Sequence, residues 1–268
     1  MTEPTAAASA AGDGDRPRIV VLMAGGALGW IVVNGLRQRL GPLVVIEEAP
    51  ESKIAVIKRR LRLVGPVATA GQIAFGLVHR LLEQRWRSRL ADIWRRHGLF
   101  PAPDPAVIVH PVASVNSDAC RSLLRQLAPD VVAVYGTRII GRATLSAVPV
   151  PFINYHAGIN PKYRGQHPAY WARADRDEEH CGVTIHLVDH GVDTGEVLYQ
   201  ARVELEPQDT IGTYQHVQAA TALPLLARAI GDALAGRLDP RRIDLPSRLW
   251  FPPTLWGYLA TGLRRGVW

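Results

Sequence analysis

The strongest constraint on the fold is an uninterrupted run of five apolar residues, Val131–Tyr135. A strand that is apolar at every position is typical of the centre of a parallel sheet, where helices cover both faces. A second β-branched run, at 18–23, is followed by a glycine-containing turn and a helical stretch at 30–40. Strand, tight turn and helix in this order predict the opening of a doubly wound α/β sheet.

Other short runs extend the predicted sheet and its helices. Further strands are predicted at 43–46, 107–110, 151–156, 182–188 and 197–203. Helices are predicted at 117–127, with Ser117 as the N-cap, and at 210–234. The fold class that follows is α/β, with a Rossmann-like mixed sheet flanked by helices.

The domain organisation follows from composition along the chain. Residues 1–15 are small, polar and acidic and lack the pattern of a signal peptide, so we expect a disordered tail. Residues 16–236 suit one α/β domain, with a helical insertion at about 51–100 that is broken at Gly65. Residues 237–268 are rich in proline and tryptophan, and we expect this C-terminal tail to pack on the domain.

The cysteines and the hydropathy pattern bear on localisation. Cys120 and Cys181 give neither a disulfide framework nor a CxxC motif, which suits a reducing cytosol. The longest apolar run, at 67–78, is shorter than the ~18 residues needed to span a bilayer. We therefore expect a cytoplasmic protein.

The net charge of +7 is concentrated in one segment. Between Lys53 and Gly98 the chain carries eleven Lys and Arg residues and two acidic ones. A solvated helical surface is the default interpretation of such a segment, and a nucleic-acid face is an alternative. Trp86 and Trp94 lie among several arginines, which favours contact with an anionic membrane or a phosphate-bearing acceptor. The aromatic residues of the tail are an alternative interface for a homodimer.

Asn154, His156 and Asp193 are the residues to which we assign chemistry. Asn154 and His156 are two apart on a predicted strand and so share one face. Burial of an amide and an imidazole is costly unless each is paired, and open α/β sheets bind ligands where such strands end. Asp193 follows the next predicted strand, where a carboxylate can orient an imidazole.

Several separated motifs make the chain similar to a known family. Asn154-Tyr155-His156, the Pro-Lys-Tyr-Arg-Gly segment at 161–165 and the Asp-Thr-Gly segment at 193–195 resemble the signature of folate-dependent formyltransferases. That family includes glycinamide ribonucleotide, methionyl-tRNA and sugar N-formyltransferases. The resemblance runs from about 129 to 205, with a weaker match at 19–26.

The resemblance implies a formyltransferase fold, a co-substrate and roles for individual residues. Asn154, His156 and Asp193 occupy the positions of the family's catalytic triad, and 10-formyltetrahydrofolate is the implied formyl donor. No metal is expected. The segment with Arg138, Ile139 and Ile140 resembles the one that holds the pterin ring. The implied loop over the same ring comprises Val188, Asp189, His190, Gly191 and Val192.

The implied chemistry is attack of a neutral amine on the formyl carbon. Asn154 and protonated His156 can donate to the resulting oxyanion, and Asp193 can accept the amine proton. On the acceptor side we expect Gly25, Gly26, Tyr163, Gln166 and His167.

Departures from the family narrow the predicted acceptor. The turn at 25–28 lacks the Ser-Asn pair of members that bind a ribose phosphate. The stretch after 234 is too short for the further domain of the methionyl-tRNA enzymes, so tRNA is not expected. A small-molecule amine, with an amino-sugar nucleotide as the favoured one, is the predicted acceptor. The alternatives are a 10-formyltetrahydrofolate hydrolase and a non-catalytic folate- or nucleic-acid-binding protein.

Overall fold

A computed structural model describes residues 17–268, so the tail predicted at 1–15 lies outside the described residues. The strands are β1 (Ile19–Ala24), β2 (Val44–Glu48), β3 (Ile108–Val112), β4 (Val131–Tyr135), β5 (Phe152–His156), β6 (Arg164–Gly165), β7 (Gly182–Leu187), β8 (Val197–Arg202) and β9 (Leu249–Trp250). The helices are α1 (Ala27–Leu40), α2 (Lys53–His97), α3 (Asp118–Leu127), α4 (Arg142–Leu145), α5 (Pro168–Ala174), α6 (Tyr214–Leu234) and α7 (Leu255–Arg265), with a 3₁₀ turn at Glu178–His180.

The main sheet has seven strands in the order β3-β2-β1-β4-β5-β7-β8. The first five strands in this order are parallel, and β7 and β8 run antiparallel to their neighbours. The predicted Rossmann-like mixed sheet is thus confirmed. Because β1, β4 and β5 are parallel, their carboxyl ends meet at one edge, and the chemistry is placed there.

Both faces of the central strands are buried, as the apolar runs predict. Val21 and Met23 of β1 pack in one cluster with residues of α1 and α6. Val20 and Leu22, which point the other way, pack in a second cluster with residues of α3. Since alternate side chains of a strand point to opposite faces, a wholly apolar sequence is what two helical layers require.

Helix α2 is the predicted insertion, and it is kinked where the sequence breaks. Gly65 has a left-handed φ of 79°, which interrupts the helix immediately before Pro66. By length and composition alone, α2 contains an 18-residue stretch apolar enough to cross a membrane. This corrects the sequence-based expectation that the longest apolar run, at 67–78, is too short to span a bilayer.

The C-terminal segment lies against β6 and against α2. Strand β9 pairs with β6 in a separate two-stranded sheet. Helix α7 packs on α2, where the rings of Tyr258 and Phe75 are 5.2 Å apart. The carboxamide of Gln72 donates to the carbonyl oxygen of Pro252 over 3.1 Å. These contacts fix both helices on one flank of the domain.

Candidate active site

A cleft of about 310 Å³ opens at the carboxyl edge of the sheet. Its floor is formed where β4 and β5 end, and its sides are the segment 136–140 and the loop 188–193. Asn154, His156 and Asp193 all line it. The strand register explains this arrangement, because Asn154 of β5 lies opposite His186 of β7, and the loop with Asp193 follows β7.

The polar groups of the cleft form one connected network. The Nδ1 atom of His156 lies 3.3 Å from a carboxylate oxygen of Asp193. The other carboxylate oxygen is 3.6 Å from Nε2 of His186, which also lies 3.0 Å from the amide nitrogen of Asn154. His186 is thus a fourth member, absent from the predicted site. Its place opposite Asn154 in the strand pairing is the signal that would have found it.

The protonation of the network follows from its partners. The Nε2 atom of His156 is 2.7 Å from the carbonyl oxygen of Tyr163 and therefore carries a proton. Burial of the ring lowers the pKa of His156, and the neighbouring carboxylate of Asp193 opposes this shift. Burial also acts against ionisation of Asp193, but the two histidines and a backbone N–H outweigh it and lower the pKa of that carboxyl. Asp193 is therefore a carboxylate at neutral pH.

Asp193 is held by backbone contacts that come from distant parts of the chain. Its φ of 51° lies in the left-handed region, and its Oδ2 accepts from the N–H of Gly165 over 3.0 Å. Gly165 belongs to β6, and the next N–H, that of Gln166, donates to Trp250 of β9. The C-terminal strand therefore fixes the donor that orients the Asp193 carboxylate.

Glu48, at the end of β2, anchors the segment 136–140. Its buried carboxylate accepts from the backbone N–H and the guanidinium of Arg138, each over 2.8 Å. It also accepts from the N–H of Val115 over 2.8 Å. The Arg138 side chain is therefore turned away into an ion pair while its backbone borders the cleft. The sequence did not predict that Glu48 anchors this segment, because a single glutamate at the end of a strand forms no recognisable motif.

Most of the predicted cofactor residues border the cleft. Arg138, Ile139, Ile140, Val188, Asp189, Gly191 and Val192 are among its lining residues. His190 belongs to the same loop but lies outside that lining. The loop is held internally, because Oδ1 of Asp189 accepts from the N–H of Gly191 and from the Thr194 hydroxyl.

The predicted acceptor residues are dispersed. Gln166 lines the cleft, as does Gln215 of α6, which was not predicted. The structure instead buries Tyr163 in the core, where its hydroxyl donates to Asp177. Since that side chain is enclosed, it cannot face an acceptor. His167 packs against Phe75 of α2, and burial lowers its pKa to about 4.

Gly25 and Gly26 lie at the carboxyl end of β1, on the same sheet edge but outside the cleft lining. Gly25 lies against the Glu47 carboxylate, so close that a Cβ there would lie 2.2 Å from its oxygen. In the part of the chain that the structure describes, no group of three His, Cys, Asp or Glu residues is arranged to hold a metal ion.

Three of the aromatic and basic residues at 85–96, namely Trp86, Arg89 and Trp94, face the protein. Arg89 makes a bidentate ion pair with the buried carboxylate of Asp209, at 2.9 and 3.0 Å. The indole of Trp94 donates to His216 over 3.0 Å, and Trp86 packs against Gly212. Trp86, Arg89 and Trp94 therefore join α2 to α6 and the loop before it, whereas Arg85, Arg87, Arg95 and Arg96 are exposed, and an external contact through these arginines stays a prediction.

Comparison with known proteins agrees with the geometry. The formyl transferase family model matches residues 100–230. The methionyl-tRNA formyltransferase of Anaeromyxobacter dehalogenans is 39% identical over 151 residues, which are 54% of this chain and 48% of that protein. The enzyme of the same name from Pelotomaculum thermopropionicum is 36% identical over 46% of this chain and 40% of its own. The chain spans about half the length of these curated relatives.

Two solved structures share the fold. Glycinamide ribonucleotide transformylase 1 from Symbiobacterium toebii has a TM-score of 0.55 and 21% identity, covering 87% of this chain and 96% of that one. A sugar N-formyltransferase from a Shewanella species has a TM-score of 0.54 and 16% identity, covering 87% and 76%.

The names of the curated relatives show that the exclusion of tRNA was wrong. That exclusion depended on where the chain ends, which says nothing about what the cleft accepts. The family match, the relatives and the fold agree with one another: residues 100–230, about half of this chain, match the formyltransferase family.

Proposed function

We propose that this chain transfers the formyl group of 10-formyltetrahydrofolate to an amine. The observation that carries the proposal is the convergence of Asn154, His156 and Asp193 in a single cleft. Folate specificity is supported by the two backbone segments on either side, 136–140 and 188–193. A sugar 3N-formyltransferase of the same fold was solved with 5-N-formyl-THF, a close analogue of the proposed donor.

The residues divide the chemistry among them. When an amine attacks the formyl carbon, a C–N bond forms and the carbonyl oxygen becomes an oxyanion. One N–H of Asn154 is directed at His186, which leaves the second to donate to that oxyanion. The ring of His156, between the Tyr163 carbonyl and Asp193, places positive charge beside the same oxygen whenever it is protonated.

Collapse of the tetrahedral intermediate breaks the bond from the formyl carbon to N10 of the folate. The attacking amine must lose a proton, and N10 must gain one. Asp193 is an ionised carboxylate in the cleft and accepts the amine proton, directly or through water. Its pairing with two histidines keeps it ionised and oriented between turnovers.

The acceptor is a primary amine that approaches past Gln166 and Gln215, the polar side chains at the open side of the cleft. Two classes of amine are candidate acceptors. Methionyl-tRNA is the substrate named for the curated relatives, and an amino-sugar nucleotide matches the sugar N-formyltransferases of the same fold. We place the reaction in the cytoplasm, where the two buried free cysteines stay reduced.

The test mixes the protein with 10-formyltetrahydrofolate and follows free folate with and without each amine. We expect release that depends on the amine and that is lost in Asn154→Ala but kept in the exposed control Arg142→Ala. Release without any amine would show a hydrolase. Binding without release would show a non-catalytic folate protein.

A further inference from the structure

The exposed large apolar side chains of the described chain are concentrated on two neighbouring helices. On α2 they are Val67, Ile73, Leu77 and Leu81, and on α7 they are Trp256, Leu259 and Leu263. We refer to these seven residues as the apolar face. Leu77 is 63% exposed, and Leu81 and Leu263 are each 80% exposed. A cluster of this kind on a soluble domain marks a contact surface.

The two helices present the apolar face as one surface. Their inner sides touch through Phe75 and Tyr258. At the surface, the ring of Trp256 lies against Gly71, so close that an added Cβ would be 2.5 Å from the ring. On α2 the four residues follow one another at intervals of six, four and four positions, which places them on one side of the helix. The opposite side, with Thr69 and Gln72, is buried in the domain.

Charge around the apolar face has one sign. Residues 53–82 contain six Lys and Arg and no acidic residue, and α7 ends in Arg264 and Arg265 with no acidic residue. Before the kink, Ile54, Ile57 and Leu61 continue an exposed apolar stripe. Lys58 and Arg62 are exposed on the same part of the helix.

This charge pattern discriminates between the occupants that an apolar surface can have. A second copy placed on it by a two-fold axis would bring the same cations together without a carboxylate to pair them. An anionic lipid surface supplies both an apolar interior and negative headgroups. A membrane-spanning arrangement of α2 would break its buried contacts, such as the hydrogen bond from Gln72 to Pro252.

We propose that the apolar face docks the protein onto an anionic lipid bilayer, with α2 and α7 lying in the plane of the membrane interface. Apolar side chains enter the acyl region, and the flanking Lys and Arg residues meet the headgroups. Helix α2 also contacts His167, which adjoins Gln166 on the cleft, so the bound protein holds its acceptor opening near the membrane surface. The binding itself does not depend on the proposed enzyme activity.

The experiment is flotation of the full chain with vesicles on a density gradient. Vesicles of phosphatidylcholine alone are compared with vesicles that also contain phosphatidylglycerol. We expect binding to the anionic vesicles and weaker binding to the neutral ones. The triple substitution Leu77→Gln, Leu81→Gln and Leu263→Gln should weaken binding by roughly tenfold or more, since it removes three inserting apolar side chains.

The matched control is Ile108→Gln, because Ile108 is 61% exposed on the edge strand β3, away from the apolar face. It should bind like the unmodified protein, and thermal unfolding of all variants should agree. Absence of flotation, or equal flotation of the triple variant, would overturn the proposal. A dimer in light scattering that the triple substitution dissociates, without vesicle binding, would assign the face to a second copy and also overturn it.

Discussion

The candidate active-site cleft and the flank formed by α2 and α7 differ in where they place polar and apolar side chains. In the cleft, each oxygen of Asp193 has a histidine ring nitrogen within 3.6 Å, and each of these histidines has a hydrogen-bonding partner. On the flank, apolar side chains face outward beside exposed Lys and Arg residues. The first region pairs its polar groups with one another, whereas the second leaves apolar and basic side chains exposed.

The difference also separates two kinds of basic residue within α2. Near its C-terminal end, Arg89, Arg95 and Arg96 pair with carboxylates of the protein, as Arg89 does with Asp209. Charges near its start are exposed beside apolar side chains. The net charge of the segment does not distinguish these two groups of basic residues. The carboxylate partners that they have in the structure do.

The largest expected effect concerns this division. Arg89→Gln leaves the buried carboxylate of Asp209 without its bidentate partner, which should cost about 3–5 kcal/mol of unfolding free energy. Arg87→Gln, two positions away and exposed, should change it by less than about 0.5 kcal/mol. Urea unfolding of both variants measures the contrast. Equal stability would mean that the two arginines are equivalent surface charges.

The second prediction tests the cleft. His156→Ala should lower turnover by at least ~10²–10³, since it removes charge stabilisation of the oxyanion, while folate affinity changes only a few-fold. His97→Ala is the control, because His97 is exposed at the end of α2 and does not line the cleft. Steady-state turnover and titration with 5-formyltetrahydrofolate give the two values. If His156→Ala keeps a tenth of the turnover, the catalytic assignment is wrong.

A smaller effect is expected at Glu48, which supports the cleft without lining it. Glu48→Gln removes the charge that holds Arg138. The change should destabilise the observed conformation of the 136–140 segment by about 1–3 kcal/mol. We expect weaker folate binding with turnover at saturating folate largely kept. Glu47→Gln, on the other face of the same strand, should bind folate normally. Loss of turnover without loss of affinity would contradict this positioning role.

The last prediction is a pH dependence of the contact between α2 and α6. Burial lowers the pKa of His216 from 6.5 to about 4. The unfolded chain therefore binds a proton that the folded chain does not, and stability is lost as pH falls from 6.5 toward 4. His216→Gln, which still accepts from Trp94, should flatten this dependence without abolishing it, because His167 shifts the same way. A slope unchanged in urea titrations at several pH values would show that His216 is not buried as a neutral ring.

Local patterns predicted the sheet and the core of the site. The apolar runs at β1 and β4 fixed the buried strands, and Ser117 caps α3 by accepting from the N–H of Cys120. The polar triad was visible because Asn154 and His156 share a face of one strand. The formyltransferase motifs, which occur in the family's order along the chain, linked Asp193 to Asn154 and His156.

What the sequence did not reveal depends on contacts between distant segments. Glu48 reaches Arg138 only after β2 and β4 are placed on either side of β1. Gly165 orients Asp193 because β9, more than eighty residues later, pairs with its strand. Tyr163 lies within the signature segment, but its hydroxyl turns to Asp177 and not to the cleft.

The central claim is that this cleft moves a formyl group onto an amine. Its most direct test is transfer of an isotopically labelled formyl carbon from 10-formyltetrahydrofolate, followed by mass spectrometry of methionyl-tRNA and amino-sugar nucleotides. We expect label on the nitrogen of one acceptor with the unmodified protein and none with Asn154→Ala. Label recovered only as formate, or transfer that is equal in the two proteins, would contradict it.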